Sequence, residues 1–496
     1  MKRTITIYSN EFWWGGAVQD GDRFPLSAAG TYFGDFTVNR TSNQVSGAFV
    51  SSLGRYLFTD GDYSVRVENG TLTVDSTEEV DYGEGFSNLR GAVKAVAKKH
   101  YTLEPLADLR AASKPQYCTW MEMRNRPTQD AVLAYANGIL DAGLPAGVLI
   151  IDDGWQRGFG DWRFTDDFPD PKEMIEKLHA LGFVVILWLV PFVADEAVGL
   201  WKDDALLRDG DGKIADRKWW NGVSKLLDMT SQSAVQGLIN QLDALLALGA
   251  DGFKFDGGDA GFYRVDDRTE NPITPNGQAR RWAAFAQRYP YAELRSTVGH
   301  EGRGLIERLC DKNVAWRGGL DMLIPDMIQA GLVGYPYVCP DMIGGGQITD
   351  SDKATDEDWY IRSVQCVCLS PMWQFSRAVW TYGDRVKYAV LECVRLREKL
   401  MPYIESAFYN AAATGEPILR PVCYAFSGQD LETQTDCFLL GDDVLVAPIV
   451  TPAVASREVR LPAGATWTEI RTSKLYDGGQ TVTASGLPCF LRTKGK

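Results

Sequence analysis

The chain has 496 residues, a length that leads us to expect a large catalytic domain with smaller accessory domains. Its net charge of −14 argues against a nucleic acid or an anionic membrane surface as a partner, and its 45% hydrophobic residues allow a large core. The nine cysteines, several of them in apolar runs such as VQCVCLSP, are expected to be buried free thiols in a reducing compartment.

Targeting and membrane signals are weak at the level of sequence. The first segment, MKRTITIYSNEFW, lacks the apolar stretch that signal peptides contain. No window approaches the 18 uncharged apolar residues that a membrane-spanning helix needs, so we expect no membrane span. We therefore expect a cytoplasmic protein whose partner is a small molecule, while these features leave the oligomeric state open.

Residues 1–105 are rich in Thr, Val, Tyr and Gly. Stretches such as YLFTDGDYSVRVENGTLTV alternate with period two between turn signals, which predicts an antiparallel β-sandwich. Residues 410–496 return to strand patterns with Gly and Pro turns, as in DCFLLGDDVLVAPIV, and predict a small C-terminal β-domain.

Between these segments, in residues 106–409, short apolar runs alternate with amphipathic helical patterns. Helical patterns such as PKEMIEKLHALG close on a glycine. Eight strand-like runs follow one another: QYCTWMEM, GVLIIDDGW, FVVILWLVPF, DGFKFDGGD, AELRSTVG, NVAW, YPYVCPDMIGG and MWQFS. This alternation predicts an α/β domain of the (β/α)₈ TIM barrel type.

Acidic, aromatic and other polar residues are concentrated where the predicted barrel strands end. They are Trp120, Glu122, Asp152, Asp153, Trp188, Asp256, Arg295, Asp341 and Gln374. Any one carboxylate at such a position could be no more than a helix N-cap. Capping does not require Trp, Arg and Lys beside it on several strands, and barrel active sites lie at this end, so we predict a catalytic site there.

The available side chains restrict the chemistry. Only three histidines are present, none at metal-ligand spacing, and there is no G-x-S-x-G nucleophile motif, P-loop or dinucleotide fingerprint. We therefore expect neither a metal nor a cofactor. Two carboxylates that flank an acetal can hydrolyse it, and aromatic neighbours suit a sugar, so the residues predict a barrel glycosidase.

The chain resembles glycoside hydrolase family 31 from about Tyr117 through the C-terminal β-domain. The resemblance is closest to the branch that contains α-galactosidase-like members and the myogenesis-regulating glycosidase. It rests on the order and spacing of LIIDDGW, KLHALGFVVILWLVPF, WWNGVSKLLDMT, FKFDGGD, CDKNVAWRGG, GYPYVCPDMIGGG and FLLGDDVLVAPIV.

The resemblance implies a role for individual residues. Asp256 matches the family's nucleophile, and Asp311 matches the acid/base. The usual W-x-G-D context is absent around Asp311, which makes Asp321 the alternative. The residues implied to bind substrate are Asp152, Asp153, Trp220, Lys254, Arg295 and Gln374, the last standing where α-glucosidases of the family usually place a histidine. Asp259 is expected either to orient its neighbours or to cap a loop.

The resemblance also implies an activity. It is that of a retaining, exo-acting α-glycoside hydrolase acting on a small-molecule α-glycoside, with α-galactosidase as the leading prediction. An α-glucosidase or α-xylosidase on the same scaffold is the alternative enzyme. A non-catalytic sugar-binding relative is the alternative of another class, and the presence of both Asp256 and Asp311 argues against it.

Overall fold

The computed structural model describes residues 1–347, 349 and 356–493. The N-terminal part holds two four-stranded antiparallel sheets, with strand orders β1-β7-β6-β3 and β2-β4-β5-β8. Their elements are β1 Lys2–Thr6, β2 Trp13–Ala17, β3 Tyr32–Phe36, β4 Val45–Ser51, β5 Tyr56–Phe58, β6 Tyr63–Glu68, β7 Thr71–Ser76 and β8 Asp81–Gly83, followed by helix α1 Leu89–His100. The rings of Phe49 and Tyr63 meet edge to face between the two sheets, so the sheets form the predicted sandwich.

The barrel follows in the chain. Its elements and the excursions between them are α2 Arg110–Ser113, β9 Gln116–Cys118, α3 Trp120–Met123, α4 Gln129–Asp141, β10 Val148–Ile151, β11 Gln156–Gly158, β12 Asp161–Phe164, α5 Pro171–Ala180, β13 Val184–Leu189, β14 Phe192–Val193, β15 Arg217–Trp219, β16 Gly222–Leu226, α6 Gln232–Ala247, β17 Gly252–Phe255, α7 Pro275–Ala286, β18 Glu293–Leu294, β19 Ile306–Arg308, α8 Leu323–Leu332, β20 Val338–Cys339, α9 Glu357–Val367, β21 Gln374–Phe375 and α10 Asp384–Thr414.

Eight of these strands form one parallel sheet in the order β20-β19-β18-β17-β13-β10-β9-β21. An isolated parallel bridge between Ile343, just after β20, and Phe375 of β21 brings the two edges together. The strands are short and almost wholly buried because helices cover the outside and side chains fill the inside. The predicted (β/α)₈ barrel is therefore confirmed.

Local signals in the sequence account for the helices that we predicted. Helix α4 is capped by the hydroxyl of Thr128, and α5 by the carboxylate of Asp170 followed by a proline. Beyond their ends, Gly143 and Gly182 adopt φ of 80° and 93°, a left-handed conformation that favours glycine.

One strand prediction was wrong. The run NVAW, residues 313–316, is not a strand, and the sixth strand of the barrel is Ile306–Arg308. Its sequence IER places two charged side chains, Glu307 and Arg308, at buried positions. Buried charges of this kind break the apolar pattern from which a barrel strand is recognised.

The C-terminal part is built from strands. A six-stranded sheet has the order β22-β23-β24-β29-β26-β27, beside the two-stranded pair β25-β28. The bounds are β22 Leu419–Arg420, β23 Phe438–Leu440, β24 Val444–Val446, β25 Ser456–Arg460, β26 Thr466–Glu469, β27 Leu475–Asp477, β28 Thr481–Ser485 and β29 Cys489–Thr493. The divisions at residues 105 and 409 remain a proposal, and α10 continues through the second of them.

The N-terminal sandwich supports the barrel at one point near the predicted site. The side-chain amide of Gln44 donates to the backbone carbonyls of Arg295 and Arg308, each at 3.0 Å. These residues lie at the ends of β18 and β19, so one buried side chain joins two neighbouring barrel strands.

All nine cysteines are free thiols; eight are buried and Cys310 is partly exposed. Within the described part of the chain, no helix has the length and apolar character needed to cross a membrane.

Candidate active site

A cavity of about 300 Å³ lies where the barrel strands end. Seven of the eight predicted site residues line it: Asp152, Asp153, Trp220, Lys254, Asp256, Arg295 and Asp311. A larger groove of about 820 Å³ lies on the outside of the barrel between β12 and α6. In this groove Asp161 and Arg163 pair with each other at 2.7 Å. In the smaller cavity, by contrast, several acids and cations converge on one space, as expected of a ligand site.

Asp256 follows the last residue of β17 and lies at the mouth of the barrel. Its Oδ2 accepts a hydrogen bond from Nε1 of Trp188 at 3.0 Å, and its Oδ1 accepts from the backbone N–H of Gly257 at 2.9 Å. Burial alone would raise the pKa of this carboxyl, but Arg295 and Lys254 hold its pKa well below the usual value. Asp256 is therefore an ionised carboxylate with a fixed orientation.

The two glycines after Asp256 have a steric reason. Gly257 adopts φ of 64°, and a Cβ at Gly258 would lie 1.9 Å from Cδ1 of Trp282. The chain can therefore turn away from Asp256 at this point only because both residues lack a side chain.

Lys254 and Asp152 form a buried ion pair on the same side of the cavity. Nζ of Lys254 lies 2.8 Å from Oδ2 of Asp152, and both side chains are 5% exposed. The thiol of Cys118 donates to the same oxygen at 3.1 Å. Lys254 is two residues before Asp256, and strand alternation turns both side chains to the barrel interior.

Asp153 is held by two side-chain amides. Gln156 donates to its Oδ1 at 2.7 Å and Asn221 donates to its Oδ2 at 2.9 Å. Burial raises the pKa of Asp153 to about 6, in spite of these hydrogen bonds. Asp153 can therefore accept hydrogen bonds from ligand hydroxyls near neutral pH and becomes protonated in mild acid.

Arg295 connects three groups of the site. Its Nη2 lies 2.8 Å from Oδ2 of Asp259, and its Nε lies 3.4 Å from Oδ1 of Asp256. Its guanidinium carbon lies 4.8 Å from the centre of the Trp220 ring, a cation–π distance. Of the two roles expected for Asp259, this contact corresponds to orientation, since Asp259 fixes the arginine that faces Asp256.

Asp311 lies three residues after β19 and is held by Arg308. Oδ1 of Asp311 is 2.7 Å from Nη1 of Arg308. Burial would raise the pKa of this carboxyl, but Arg308 and Arg295 lower it below the usual value. Asp311 and Asp256 thus line one cavity and have their nearest cations on different strands.

Gln374 is placed differently from the other predicted site residues. Its side chain is fully buried and does not line the cavity. Its amide nitrogen donates to Oε2 of Glu293 at 2.7 Å and to Oε1 of Gln116 at 3.0 Å. The structure therefore does not bring Gln374 to a position where it could contact a ligand in the cavity, and its nearest partner is Glu293.

Some lining residues were missed by the sequence reasoning. They are Arg308, Met342, Gly346, Gln347 and Thr349, all of which line the cavity. A signal for Arg308 was present, since a charged residue three positions before Asp311 in IERLCD could have been interpreted as its partner. The others follow β20, where a glycine cluster indicates only a turn.

Two family models match the chain. The glycosyl hydrolases family 31 TIM-barrel domain matches residues 115–407, and the glycosyl hydrolase family 31 C-terminal domain matches residues 415–494. The first match by itself covers more than half of the chain.

Curated relatives point in the same direction. The chain is 30% identical over 370 residues to the myogenesis-regulating glycosidase of Mus musculus, over 71% of this chain and 51% of the relative. It is 25% identical over 472 residues to the α-xylosidase XylQ of Lactiplantibacillus pentosus, over 87% of this chain and 60% of the relative. The chain thus spans between half and three fifths of the length of these two relatives.

Solved structures share the fold. A Flavobacterium johnsoniae family 31 dextranase complexed with glucose superposes with a TM-score of 0.87 at 19% identity, over 99% of this chain and 66% of the other. An α-xylosidase from a soil metagenome complexed with xylose superposes with a TM-score of 0.84 at 22% identity, over 100% of this chain and 79% of the other.

Proposed function

The chain belongs to glycosyl hydrolase family 31, and we propose that it is a retaining, exo-acting α-glycoside hydrolase. Asp256 is the proposed nucleophile and Asp311 the proposed acid/base. The observation that carries the proposal is that these two carboxylates line one cavity, where Asp256 is held ionised by Arg295 and Lys254. Two carboxylates, one of them a fixed anion, are what double displacement at an acetal carbon requires.

In the first step, a carboxylate oxygen of Asp256 forms a bond to the anomeric carbon while the bond from that carbon to the leaving oxygen breaks. Asp311, in its protonated form, gives its proton to the departing oxygen. In the second step, Asp311 takes a proton from water, whose oxygen attacks the same carbon and releases Asp256. Two inversions give net retention.

The charges in the cavity favour the change of role at Asp311. Burial and the negative charge of Asp256 raise the pKa of Asp311, whereas the nearby cations lower it. That charge is lost when Asp256 becomes an ester, so the pKa of Asp311 falls in the intermediate. Asp311 is then a carboxylate that can accept the proton of the attacking water.

The remaining groups suit the hydroxyls of one sugar. Hydrogen-bond donors and acceptors surround the cavity: Asp152, Asp153, Lys254 and Arg295. The volume of the cavity is at the small end of the range for ligand sites. A small cavity of this kind supports binding of a single terminal sugar, which is the basis for proposing exo action. Trp220, which is 45% exposed, supplies an apolar surface at the opening of the cavity.

For the sugar itself we propose an α-galactoside, because the sequence resembles most closely the branch of the family that contains α-galactosidase-like members. Charged groups such as Asp152, Asp153 and Lys254 can distinguish the orientation of one hydroxyl. Gln374 gives no support to this choice, since its side chain is fully buried and does not line the cavity. An α-xyloside or α-glucoside is the second candidate, and the names of several relatives, including α-xylosidase XylQ and α-glucosidase 2 of Bacillus thermoamyloliquefaciens, favour it.

The proposal is tested with a panel of nitrophenyl α-glycosides and purified Asp256→Ala. We expect turnover of at least one member by the wild type and a loss of kcat of several orders of magnitude in Asp256→Ala, because covalent catalysis has no substitute for its nucleophile. The matched control is Asp266→Ala, an exposed carboxylate in the same β17–α7 connection. Near wild-type turnover by a folded Asp256→Ala enzyme would remove the assignment, and a wild type inactive on the whole panel would favour a sugar-binding relative.

A further inference from the structure

The guanidinium of Arg308 lies close to three carboxylates, those of Glu293, Asp311 and Asp341. Its Nη1 lies 2.7 Å from Oδ1 of Asp311 and 3.8 Å from Oδ1 of Asp341. Its Nε lies 3.2 Å from Oε1 of Glu293. Because Asp341 follows β20 and Asp311 follows β19, the guanidinium joins the ends of two neighbouring strands.

Asp341 also holds the loop of Asp311 through the backbone. Its Oδ2 accepts from the N–H of Lys312 at 2.6 Å, and its Oδ1 accepts from the N–H of Met342 at 2.7 Å. Lys312 is the residue directly after Asp311, so the first of these bonds fixes the peptide that carries the proposed acid/base. Asp341 is 6% exposed and does not line the cavity, so it cannot itself be the group that meets the substrate.

We propose that Asp341 is a positioning residue for Asp311, acting through Arg308 and through the backbone of Lys312. The inference rests on the proposed function, since it assigns a role only if Asp311 is the acid/base. Asp341 orients the carboxyl of Asp311 toward the leaving oxygen. Burial and the charge of Asp311 raise the pKa of Asp341 to about 7, so above that pH Asp341 also supplies a negative charge that offsets part of the charge of Arg308.

The second effect has a definite sign. The charged groups that face Asp311 are Arg308 of β19, Arg295 after β18, Lys254 and Asp256 of the β17 end, Asp341 after β20 and the neighbouring Lys312. The cations lower the pKa of Asp311, whereas the negative charges raise it. In the pH range where Asp341 is ionised, loss of its charge lowers the pKa of Asp311 further, and the protonated form that the first step needs is then present only at lower pH.

Asp341 therefore has two separable effects, its hydrogen bonds to the backbone and its negative charge. An asparagine amide can accept from one of the two backbone N–H groups, but its NH₂ group cannot accept from the other. Asp341→Asn therefore removes the charge and one hydrogen bond while keeping the size of the side chain.

The experiment compares Asp341→Asn with the wild type on two substrates of the same sugar, a nitrophenyl glycoside and an alkyl glycoside. We expect kcat/KM for the alkyl glycoside to fall by about 10- to 100-fold, because displacement of a proton donor by a fraction of an ångström has this order of effect. The nitrophenyl glycoside, whose leaving oxygen needs little protonation, should change by no more than about threefold. The alkaline limb of kcat/KM against pH should move to lower pH.

The matched control is Glu11→Gln, which removes the charge of another buried carboxylate paired with an arginine, Arg55, in the N-terminal sandwich. It should leave both the leaving-group dependence and the pH profile unchanged. If Asp341→Asn does not fold, Arg308→Lys gives the same test, since a single ammonium cannot contact both carboxylates in the same way.

The outcomes separate the inference from the function on which it rests. The role of Asp341 would be overturned if Asp341→Asn lost kcat/KM equally on both substrates with an unchanged pH profile, or lost none. In that case Asp256→Ala would still abolish turnover, and the proposed function would stand. Retained activity in Asp256→Ala would instead remove the proposed function itself.

Discussion

Nε of Arg295 lies 3.4 Å from Oδ1 of Asp256, and the same guanidinium binds Asp259 at 2.8 Å. One arginine thus provides the positive charge that keeps the proposed nucleophile ionised, and a second carboxylate fixes its position. Both acids of the motif DGFKFDGGD that follow the strand contact Arg295, Asp256 as the proposed nucleophile and Asp259 as the group that holds the arginine in place.

Removal of this cation should alter the response to acid. The pKa of Asp256 is low in the folded protein, so its carboxylate persists as the pH falls and is protonated only when that low pKa is approached. In Arg295→Gln the pKa of Asp256 rises, and the acid limb of kcat/KM should move to higher pH. The control is Arg303→Gln, which breaks an ion pair with Glu104 and lies in the same β18–β19 connection as Arg295. An acid limb that stays in place would show that Arg295 does not set this ionisation.

Hydrolysis should proceed with net retention. A nucleophilic Asp256 and an acid/base Asp311 require two inversions, so an α-glycoside should release the α-anomer of the sugar first. Proton NMR of the anomeric signal in the first minutes of the reaction measures this directly. The β-anomer as the first product would overturn the double-displacement mechanism.

Asp311→Ala should affect substrates with poor leaving groups far more than aryl glycosides with good ones. Protonation matters only when the departing oxygen is basic, and general acid–base catalysis contributes roughly 10²- to 10⁴-fold. Added azide should accelerate the second step of Asp311→Ala by replacing water. Because the glycosyl-enzyme is β-linked and azide attacks from the opposite face, the product should be an α-glycosyl azide.

 A β-glycosyl azide is the product expected of Asp256→Ala, where azide takes the place of the missing carboxylate.

The comparison variant for this prediction is Asp321→Ala, since Asp321 is the alternative acid/base. Asp321 does not line the cavity, and its carboxylate accepts from the backbone N–H of Gly318 at 2.8 Å. We expect wild-type leaving-group dependence in Asp321→Ala and no azide product. The opposite pattern in the two variants would move the assignment from Asp311 to Asp321.

The sugar preference follows from buried polar contacts. A site that hydrogen-bonds a particular hydroxyl rejects the other epimer strongly, because its buried acids are then left unpaired. We expect kcat/KM for nitrophenyl α-galactoside to exceed that for the α-glucoside by at least roughly 10²-fold. Equal rates, or a preference for the glucoside or the xyloside, would remove the galactose assignment and leave the retaining mechanism standing.

Gln374 should affect stability and leave this preference unchanged. In Gln374→Leu, Oε2 of the buried Glu293 loses the donor that lies at 2.7 Å, which costs on the order of 1–3 kcal/mol. The melting temperature should fall, while the ratio of kcat/KM between galactoside and glucoside stays within about threefold because Gln374 does not line the cavity. A changed ratio would show that Gln374 acts on the sugar after all.

The sequence by itself determined the barrel and the neighbourhood of the site. Seven of the eight barrel strands were recognisable as short apolar runs, and the acids and aromatics that follow them had to converge, because parallel strands of a closed barrel end on one face. The sequence alone therefore places four site residues in one group: Asp152, Lys254, Asp256 and Arg295.

The tertiary structure alone decided the pairing of charges and the direction of individual side chains. Strand β21 has two residues, too few for a period to show that Gln374 points behind the cavity. Strand β19 was hidden because Glu307 and Arg308 are buried charges. Thr297 is the partner of Glu307, and Glu293 and Asp341, from other parts of the barrel, are partners of Arg308 in addition to the nearby Asp311. A buried charge is stable only with its partners in place, and the sequence does not record which residues they are.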